Sequence, residues 1–278
     1  MAQLQQFGGR WTIEKLNIFS DYLNFYIQAL KRQHFKKIYI DAFAGTGNIE
    51  IGDKGETFDI EGSVQIALSA KEQFDHYYFI ELAPNKCQEL RKMVATKYPE
   101  RARSVDIIQG DAGTKVKKLC SQIDWKTSRA LLFLDPCAMQ VSWDVLTVIK
   151  NTQSIDLWYL FPLSATTRLL KKDGKMDESW KNKLNQVFGD NSWEKEMYSK
   201  SPQGNLFGEL DVVKESSDKL VQYIQKKLKQ EFPFVSNKNR ILYNSRKSPL
   251  FLLCFAVSNP SSKAWGLAQK VADHILEG

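Results

Sequence analysis

Apolar side chains recur at every third or fourth position between residues 12 and 33. Leu16, Phe19 and Leu23 share one helical face at this spacing, so the pattern predicts an amphipathic helix with Thr12 as its N-cap. A short β-rich run at residues 38–40 follows and ends in an acidic residue and a glycine loop. The polar residues 49–61 predict a long loop, after which a second helix is expected to begin at Gly62.

Strand-like and helix-like segments alternate from residue 76 onwards. Apolar runs typical of strands lie at residues 76–81, 105–111, 130–136 and 156–162. Segments with helical periodicity separate them at residues 85–98, 114–122 and 143–151. This alternation is typical of βαβ units around a parallel sheet.

The alternation stops at residues 164–210, which are polar and rich in Lys, Asn, Ser and Trp. We expect this segment to be a lid or substrate-recognition insertion with a helical fragment around residues 180–188. A helix is expected at 211–231, a hairpin of strands at 239–244 and 250–257, and a closing helix at 262–276. The sequence predicts one α/β domain over residues 1–278, with a doubly wound, mostly parallel seven-stranded sheet and an antiparallel hairpin at its edge.

Composition narrows the class of protein without changing this picture. The chain has 278 residues, 43% of them hydrophobic and 26% charged, which is ordinary for a globular protein and argues against a disordered chain. The longest apolar run, residues 250–257, is far shorter than the roughly 18 to 20 residues of a membrane helix. No secretory signal is visible at the start, and the four cysteines have neither zinc-ligand spacing nor a disulfide pattern, so we expect a cytoplasmic protein without a metal site.

Carboxylates follow each of the first four predicted strands of the sheet. Ligands of open parallel sheets bind at this edge, and glycines after the first strand allow the backbone to approach a ligand closely. Glu81 is placed to accept hydrogen bonds from both hydroxyls of a ribose, Asp111 with the amide of Ala112 to accept from an adenine amine, and Asp41 to pair with a cationic amino-acid group. Taken singly, each could instead be a helix cap or a surface carboxylate. The expected cofactor-binding residues are Asp41, Phe43, Ala44, Gly45, Gly47, Glu81, Asp111 and Ala112.

This arrangement resembles the class I S-adenosylmethionine-dependent methyltransferases over residues 36–257, through the glycine loop, the acidic second strand, QGDA at 109–112 and the Asp-Pro tip of the fourth strand. The segments WTIEKLNIFSDYL, YIDAFAGTG, GSVQIAL, FIE and FLDPCAMQVSWDVL, with Asn259-Pro260 after the last strand, resemble the three-Cys-motif partner protein family over nearly the whole chain. The resemblance implies a methyltransferase-like protein that binds S-adenosylmethionine. It also implies a partner protein that carries a three-cysteine motif, which this chain lacks.

The tip of the fourth strand, Asp135-Pro136-Cys137-Ala138, differs from the pattern of enzymes that methylate amino groups of nucleic acids. Those enzymes have an Asp, Asn or Ser followed by Pro-Pro and an aromatic residue, whose ring stacks on the target base. Asp135 and Pro136 match and are the candidate catalytic residues, whereas the aromatic residue is missing. Either stacking comes from elsewhere, for example Phe161, or the substrate is not a flipped base.

Two further residues near this site have competing interpretations. Cys137 follows a proline as the nucleophile of cytosine carbon-5 methyltransferases does, although a small apolar residue that fills the sheet edge is the favoured interpretation. Lys15 matches a lysine near the family's N-terminus, where it could line the cofactor pocket, but a solvated lysine is favoured.

The charge of the chain bears on its partners. Lysine and arginine exceed acidic residues by 7, and basic residues concentrate at 84–129 and 214–247. With Trp180 and Trp193 in the lysine-rich insertion, this favours an RNA or DNA substrate. Solvated helix faces explain the same charges, and the two tryptophans could equally form a small core within the insertion. We therefore expect methylation of a nucleic-acid amino group, and the alternative is an inactive nucleic-acid-binding or partner-binding subunit of the same fold. A dinucleotide-dependent oxidoreductase is discounted because Glu50 occupies the position of the third fingerprint glycine.

Overall fold

The computed structural model describes residues 9–53, 56–204 and 210–277. Its strands are β1 (Lys36–Asp41), β2 (Asn48–Asp53), β3 (Glu56–Glu61), β4 (His76–Glu81), β5 (Val105–Gln109), β6 (Ser128–Leu134), β7 (Ile155–Phe161), β8 (Tyr198–Gly204), β9 (Leu210–Lys214), β10 (Phe234–Val235), β11 (Arg240–Tyr243) and β12 (Pro249–Val257). Its helices are α1 (Arg10–Ala29), α2 (Ser63–Ser69), α3 (Pro84–Lys97), α4 (Ala112–Gln122), α5 (Trp143–Asn151), α6 (Leu163–Leu169), α7 (Glu178–Phe188), α8 (Trp193–Met197), α9 (Ser217–Glu231) and α10 (Ser262–Glu277).

The main sheet has the strand order β10-β12-β7-β6-β1-β4-β5, and β11 also pairs with β12. Strands β5, β4, β1, β6 and β7 are parallel, and β12 runs antiparallel to β7. The predicted doubly wound, mostly parallel sheet with an antiparallel hairpin is confirmed. The position next to β12 at the edge is divided between β10 and β11, which pair with opposite ends of β12.

Burial explains why these segments form strands. The side chains of β6 and β7 are buried except near their amino ends, which is the pattern of strands covered by helices on both faces. One core cluster lies between the sheet and α4, α5 and α7–α9, and the other lies between the sheet and α1, α2, α3 and α10. The chain reverses its winding at β1, because β4 and β5 lie on one side of it and β6 and β7 on the other. In such sheets a ligand crevice forms beside the reversal point, at the carboxyl ends of the strands.

Three local predictions are wrong. Helix α1 begins at Arg10 with Gly9 as its N-cap, and Thr12 is a buried residue of the first turn. In the segment predicted as a loop, residues 49–53 and 56–61 belong to the paired antiparallel strands β2 and β3, and Ile49 pairs with Ile60. The start of the helix expected at 211–231 is strand β9, which pairs with β8 before α9 begins at Ser217.

The segment predicted as an insertion contains α6 to α8 and the hairpin β8–β9. Its apolar side chains join the main core: Leu184, Phe188 and Trp193 are fully buried. The indole Nε1 of Trp193 donates to Asn185 Oδ1 at 2.8 Å. Of the two interpretations left open for Trp193, stacking on bases is therefore wrong, and a place in a core is confirmed. Trp180 is half-buried, and the Lys171 ammonium lies 4.9 Å from the centre of its ring. Among the described residues, no helix combines the length and the apolarity that crossing a bilayer requires.

Candidate active site at the carboxyl edge of the sheet

The loop after β1 has the backbone conformation that glycine favours. Gly45 and Gly47 have φ angles of +61° and +83°. A Cβ atom at Gly47 would lie 2.5 Å from the Met93 side chain, so that glycine packs the loop against α3. A Cβ atom at Gly45 would meet nothing within 4 Å, so Gly45 presents bare backbone to open space at the edge of the sheet. The glycine loop therefore has one face packed against the protein and one face open to a ligand.

Glu81 joins the tips of β4 and β1. Its Oε2 accepts a hydrogen bond from the Gly45 N–H at 3.0 Å, and its Oε1 accepts one from the Ala83 N–H at 2.8 Å. The carboxylate is half-buried, and each oxygen has a further lone pair. Glu81, the predicted ribose acceptor, therefore lies beside the glycine loop, where its carboxylate would be next to a ligand bound over Gly45.

Asp41 lies at the end of β1 and is fully buried. Its carboxylate accepts hydrogen bonds from Ser63 Oγ at 2.5 Å, the Tyr39 hydroxyl at 3.1 Å and the Phe43 N–H at 3.1 Å. Burial raises the pKa of Asp41 to about 6, although the Ser63 and Phe43 hydrogen bonds oppose this rise. These donors come from the protein itself, so in this structure the carboxylate holds the start of the loop. Its pairing with a ligand's cationic group stays a prediction.

The remaining predicted cofactor residues are spread around this loop. Ala44 is buried, and its N–H donates to the Ile80 carbonyl at 2.9 Å, which ties the loop to β4. Asp111 is the N-cap of α4: its Oδ1 accepts from the Thr114 N–H and the Thr114 hydroxyl, each at 2.8 Å. These hydrogen bonds lower the pKa of Asp111. Asp111 therefore caps a helix, which was the alternative to its predicted contact with adenine. Asp111 is exposed, and the neighbouring Ala112 is buried.

Asp135, directly after β6, forms an ion pair with Lys15 of α1. The Lys15 side chain is only 5% exposed and that of Asp135 21%, so the pair lies at the floor of the edge rather than in solvent. The ammonium also lies 5.3 Å from the centre of the Trp11 ring. The expectation that Lys15 is solvated is therefore wrong. Pro136 is buried and fixes the backbone beyond the carboxylate.

The structure contradicts the favoured packing interpretation of Cys137 and one of the two alternatives left open, stacking by Phe161. Cys137 is exposed, so it does not fill a packed position. Partial desolvation of its thiol group, together with the nearby Asp135 charge, raises the pKa of Cys137. A raised pKa disfavours the thiolate that nucleophilic attack requires. Phe161 is fully buried and packs against Phe188 at 6.2 Å between ring centres, so it cannot stack on a base.

Three site residues were missed or undervalued in the sequence. Ser63 follows Gly62 at the start of α2 and hydrogen-bonds to Asp41, which no local pattern indicates. Leu82, next to Glu81, is 63% exposed although it is a large apolar residue. The signal for Leu82 was its place immediately after an acidic strand end. Lys15 had only its resemblance to a family lysine, because its partner lies far away in the sequence.

The chemical groups at this edge match those that S-adenosylmethionine would need for binding. The open face of Gly45 accommodates backbone contact, Glu81 offers carboxylate oxygens for hydroxyl groups, and Leu82 offers an exposed apolar surface for a purine ring. Among the described residues there is no group of three or more His, Cys, Asp or Glu side chains that could hold a metal ion.

Comparisons with known proteins bear on the fold alone. No protein-family model and no curated protein matches this chain. Protein LPL1258 from Legionella pneumophila, of the family model DUF519, is 12% identical, with a TM-score of 0.51 over 93% of this chain and 91% of that one. A spermidine synthase from Thermotoga maritima is 10% identical with a TM-score of 0.44, over 90% of this chain and 60% of that one.

A putative S-adenosylmethionine-dependent methyltransferase from Listeria monocytogenes is 13% identical with a TM-score of 0.37, over 87% of this chain and 98% of that one. The TM-scores of the spermidine synthase and of the Listeria protein are too low to support a conclusion about the fold. The strand order and the similarity to LPL1258 agree on a doubly wound, mostly parallel α/β fold. Nothing among these comparisons indicates the three-Cys-motif partner family, so that resemblance stays a prediction.

Proposed function

We propose that the chain is an S-adenosylmethionine-dependent methyltransferase that acts on an amino group of a nucleic acid. The observation that carries the proposal is the position of Asp135. A carboxylate, neutralised by a buried lysine, lies at the tip of β6 on the same sheet edge as the open glycine loop and Glu81. An edge that combines an open glycine loop with a polar group for a second molecule suits group transfer between two bound ligands.

The residues at the first strand tips would hold the cofactor. The backbone of Phe43, Ala44 and Gly45 would face the amino-acid part, Glu81 would accept from the ribose hydroxyls, and Leu82 would cover the purine. Asp111 and Ala112 would border the purine from the tip of β5. When bound, S-adenosylmethionine supplies an electrophilic methyl group on a sulfonium sulfur.

Asp135 would orient the acceptor. Its Oδ2 faces the Lys15 ammonium, whereas its Oδ1 has no hydrogen-bond partner among the described residues. Oδ1 can therefore accept an N–H of the acceptor amine and direct the nitrogen lone pair away from itself. Buried Pro136 fixes the backbone that follows. Positioning of this kind lowers the barrier because the reacting atoms need not find each other by diffusion.

The case for a nucleic acid rests on charge near this edge. Lys171, Lys172 and Lys175 are exposed in the segment that follows β7, and Trp180 offers a partly exposed ring beside Lys171. The second basic stretch contributes less than its composition suggests, since in α9 Lys226 pairs with Glu196 and Lys227 with Asp190. A partner with a three-cysteine motif rests on the resemblance alone.

One observation favours the alternative of an inactive subunit of the same fold. The residues after Pro136 supply no aromatic ring, and Phe161 is buried, so a flipped base has no stacking partner from either strand tip. Such a subunit would bind nucleic acid or its partner without transferring a methyl group.

Transfer of a tritiated methyl group from S-adenosylmethionine to total RNA or DNA tests the proposal directly. We expect incorporation with the unmodified chain and a loss on the order of a hundredfold in Asp135→Asn, the range for a group that acts on the reacting amine. Asp21→Asn, which changes an exposed carboxylate of α1, is the matched control. Cofactor binding without any transfer to either polymer would favour the inactive subunit.

The nucleic-acid part has its own test. Log Kd for a single-stranded RNA should rise linearly with log salt, because each neutralised phosphate releases counterions. Changing Lys171, Lys172 and Lys175 to Glu should weaken binding and flatten that slope. The matched control changes Arg32, Lys71 and Lys270 to Glu, because these residues are exposed and lie outside the insertion. Equal slopes in the two triple variants would exclude the insertion from binding.

A further inference from the structure

A second cleft lies at the opposite edge of the sheet. It has a volume of about 590 Å³ and lies between α1 and α10, over the amino ends of β6 and β7. Arg129 lines this cleft near the start of β6, and Asp135 follows the end of the same strand. At about 3.3 Å per residue, the cleft is about 20 Å from Asp135 along the strand. The cleft is therefore separate from the carboxyl edge and independent of the proposed methyl transfer.

The walls of the cleft are largely apolar and aromatic. Leu267 of α10 is 55% exposed there, and few large apolar residues of the described chain are as exposed. Opposite it lie Phe25 and Tyr26 of α1, with Leu30 and Phe35 just after that helix. A concave apolar surface with a small number of polar groups is the usual composition of a small-molecule site.

Arg129 is held rigidly at one side of the cleft. Its Nη1 donates to the Trp125 carbonyl at 3.0 Å, to the Ser128 carbonyl at 2.7 Å and to Ser154 Oγ at 3.1 Å. The guanidinium carbon lies 3.9 Å from the centre of the Phe35 ring. Nη2 and Nε have no hydrogen-bond partner among the described residues, so a fixed cation keeps donors free for a ligand. Lys263 adds a second cation at the rim.

Asp156 lies in the wall of the same cleft. Its Oδ2 accepts from the Tyr22 hydroxyl at 2.6 Å, whereas its Oδ1 has no partner within the described parts of the chain. Arg129 and Asp156 influence each other's pKa but do not form an ion pair. Burial raises the pKa of Asp156 to about 7, so above that pH two opposite charges face one apolar cleft. Each has unused hydrogen-bonding atoms, and neither is neutralised by direct contact with the other.

We infer that this cleft binds a small zwitterion with an apolar or aromatic body, such as a hydrophobic α-amino acid. The ligand carboxylate would accept from Nη2 and Nε of Arg129, and a guanidinium suits such a bidentate contact. The ligand ammonium would donate to Oδ1 of Asp156. The side chain would lie against Phe25, Leu30 and Leu267. A ligand with only one of the two charges leaves the other protein group without a partner, so the cleft selects for the zwitterion.

Ligand-observed NMR titration with L-phenylalanine tests the inference. The matched probes are 3-phenylpropionate, which lacks the ammonium, and phenethylamine, which lacks the carboxylate. We expect saturable binding of L-phenylalanine and binding about tenfold weaker for each truncated probe. Asp156→Asn should remove the preference over 3-phenylpropionate, while the amide oxygen that it introduces still accepts from Tyr22. No binding of L-phenylalanine at millimolar concentration, or equal binding of all three probes, would overturn the inference.

A steric variant separates this cleft from nonspecific binding. Ala264 is an exposed residue of α10 that lines the cleft, so Ala264→Trp fills it without removing a hydrogen-bonding side chain. Lys270→Trp adds the same side chain to an exposed position of α10 outside the cleft and serves as the control. We expect binding to be lost in the first variant and kept in the second. Binding that survives Ala264→Trp would contradict the assignment.

Discussion

Lys15 and Asp135 are 120 positions apart in the sequence and form an ion pair at the floor of the candidate active site. Removal of one member of a buried pair leaves an uncompensated charge, which is more costly than removal of both. We expect Lys15→Met and Asp135→Asn each to lower the free energy of unfolding by about 1 to 3 kcal/mol, measured in urea.

The double variant decides whether this pair is energetically coupled. Lys15→Met with Asp135→Asn should recover part of the loss, so the two single effects should not add. Lys117 and Asp144 form an ion pair in which both side chains are exposed. The same set of single and double variants at this pair should give a coupling energy below about 1 kcal/mol. Strict additivity at Lys15 and Asp135 would show that their contact contributes nothing.

Glu81 is predicted to bind the ribose of the cofactor. Glu81→Gln keeps an oxygen that can accept from the Gly45 N–H but removes the charge, so the loop should hold while hydroxyl binding weakens. Calorimetry with S-adenosylhomocysteine should show a loss of about 1 to 3 kcal/mol in binding free energy. Glu89→Gln, an exposed position on α3, is the control. Equal affinity in both variants would remove Glu81 from the ribose site.

Asp156 makes stability depend on pH. Burial raises its pKa from the usual 3.8 to about 7, although the Tyr22 hydrogen bond opposes this rise. The folded chain thus binds this proton more tightly than the unfolded chain, so the contribution is full below about pH 4 and is lost as pH rises through about 7. Linkage gives a loss of about 3 kcal/mol between about pH 5 and pH 8. Urea unfolding should show that Asp156→Asn loses less stability across this interval, and an unchanged pH dependence would contradict the raised pKa.

Cys137 is exposed, whereas Cys87, Cys120 and Cys254 are buried. A thiol reagent added to the folded chain should therefore modify one cysteine quickly and the others only after unfolding. The raised pKa of Cys137 predicts that this reaction is slower at neutral pH than that of a free thiol, because the thiolate reacts. Cys137→Ser should remove the fast phase and leave methyl transfer within a few-fold. A covalent adduct between Cys137 and a fluorinated cytosine substrate would contradict this.

The parallel core was predictable because its signals are local. Strands β4, β6 and β7 have continuous apolar runs, and the helices between the strands have a repeating apolar face, so residues near in sequence determine both. The hairpin β2–β3 was missed because its strands are polar and lie outside the main sheet. Strand β9 was missed because only two residues separate it from α9, so its apolar residues were assigned to the start of that helix.

The site was predictable only where a residue's position along a strand determines its place. Gly45, Glu81 and Asp135 follow strand ends and therefore reach one edge. The roles of Asp41 and Lys15 depend on partners from other elements. Ser63 of α2 donates a hydrogen bond to Asp41, and Lys15 of α1 pairs with Asp135 at the end of β6. Burial of Trp193 depends likewise on how α7 and α8 pack against the core, which composition does not reveal.

Helix α1 is attached to the sheet at two heights, by Lys15 to Asp135 and by Tyr22 to Asp156, which is 134 residues away in the sequence. During synthesis this helix leaves the ribosome before either partner exists. Its two polar contacts with the sheet can form only after β6 and β7 have been made, so this helix is among the last elements to reach its final place. Contacts of such sequence separation slow folding, and the waiting helix exposes its apolar face meanwhile.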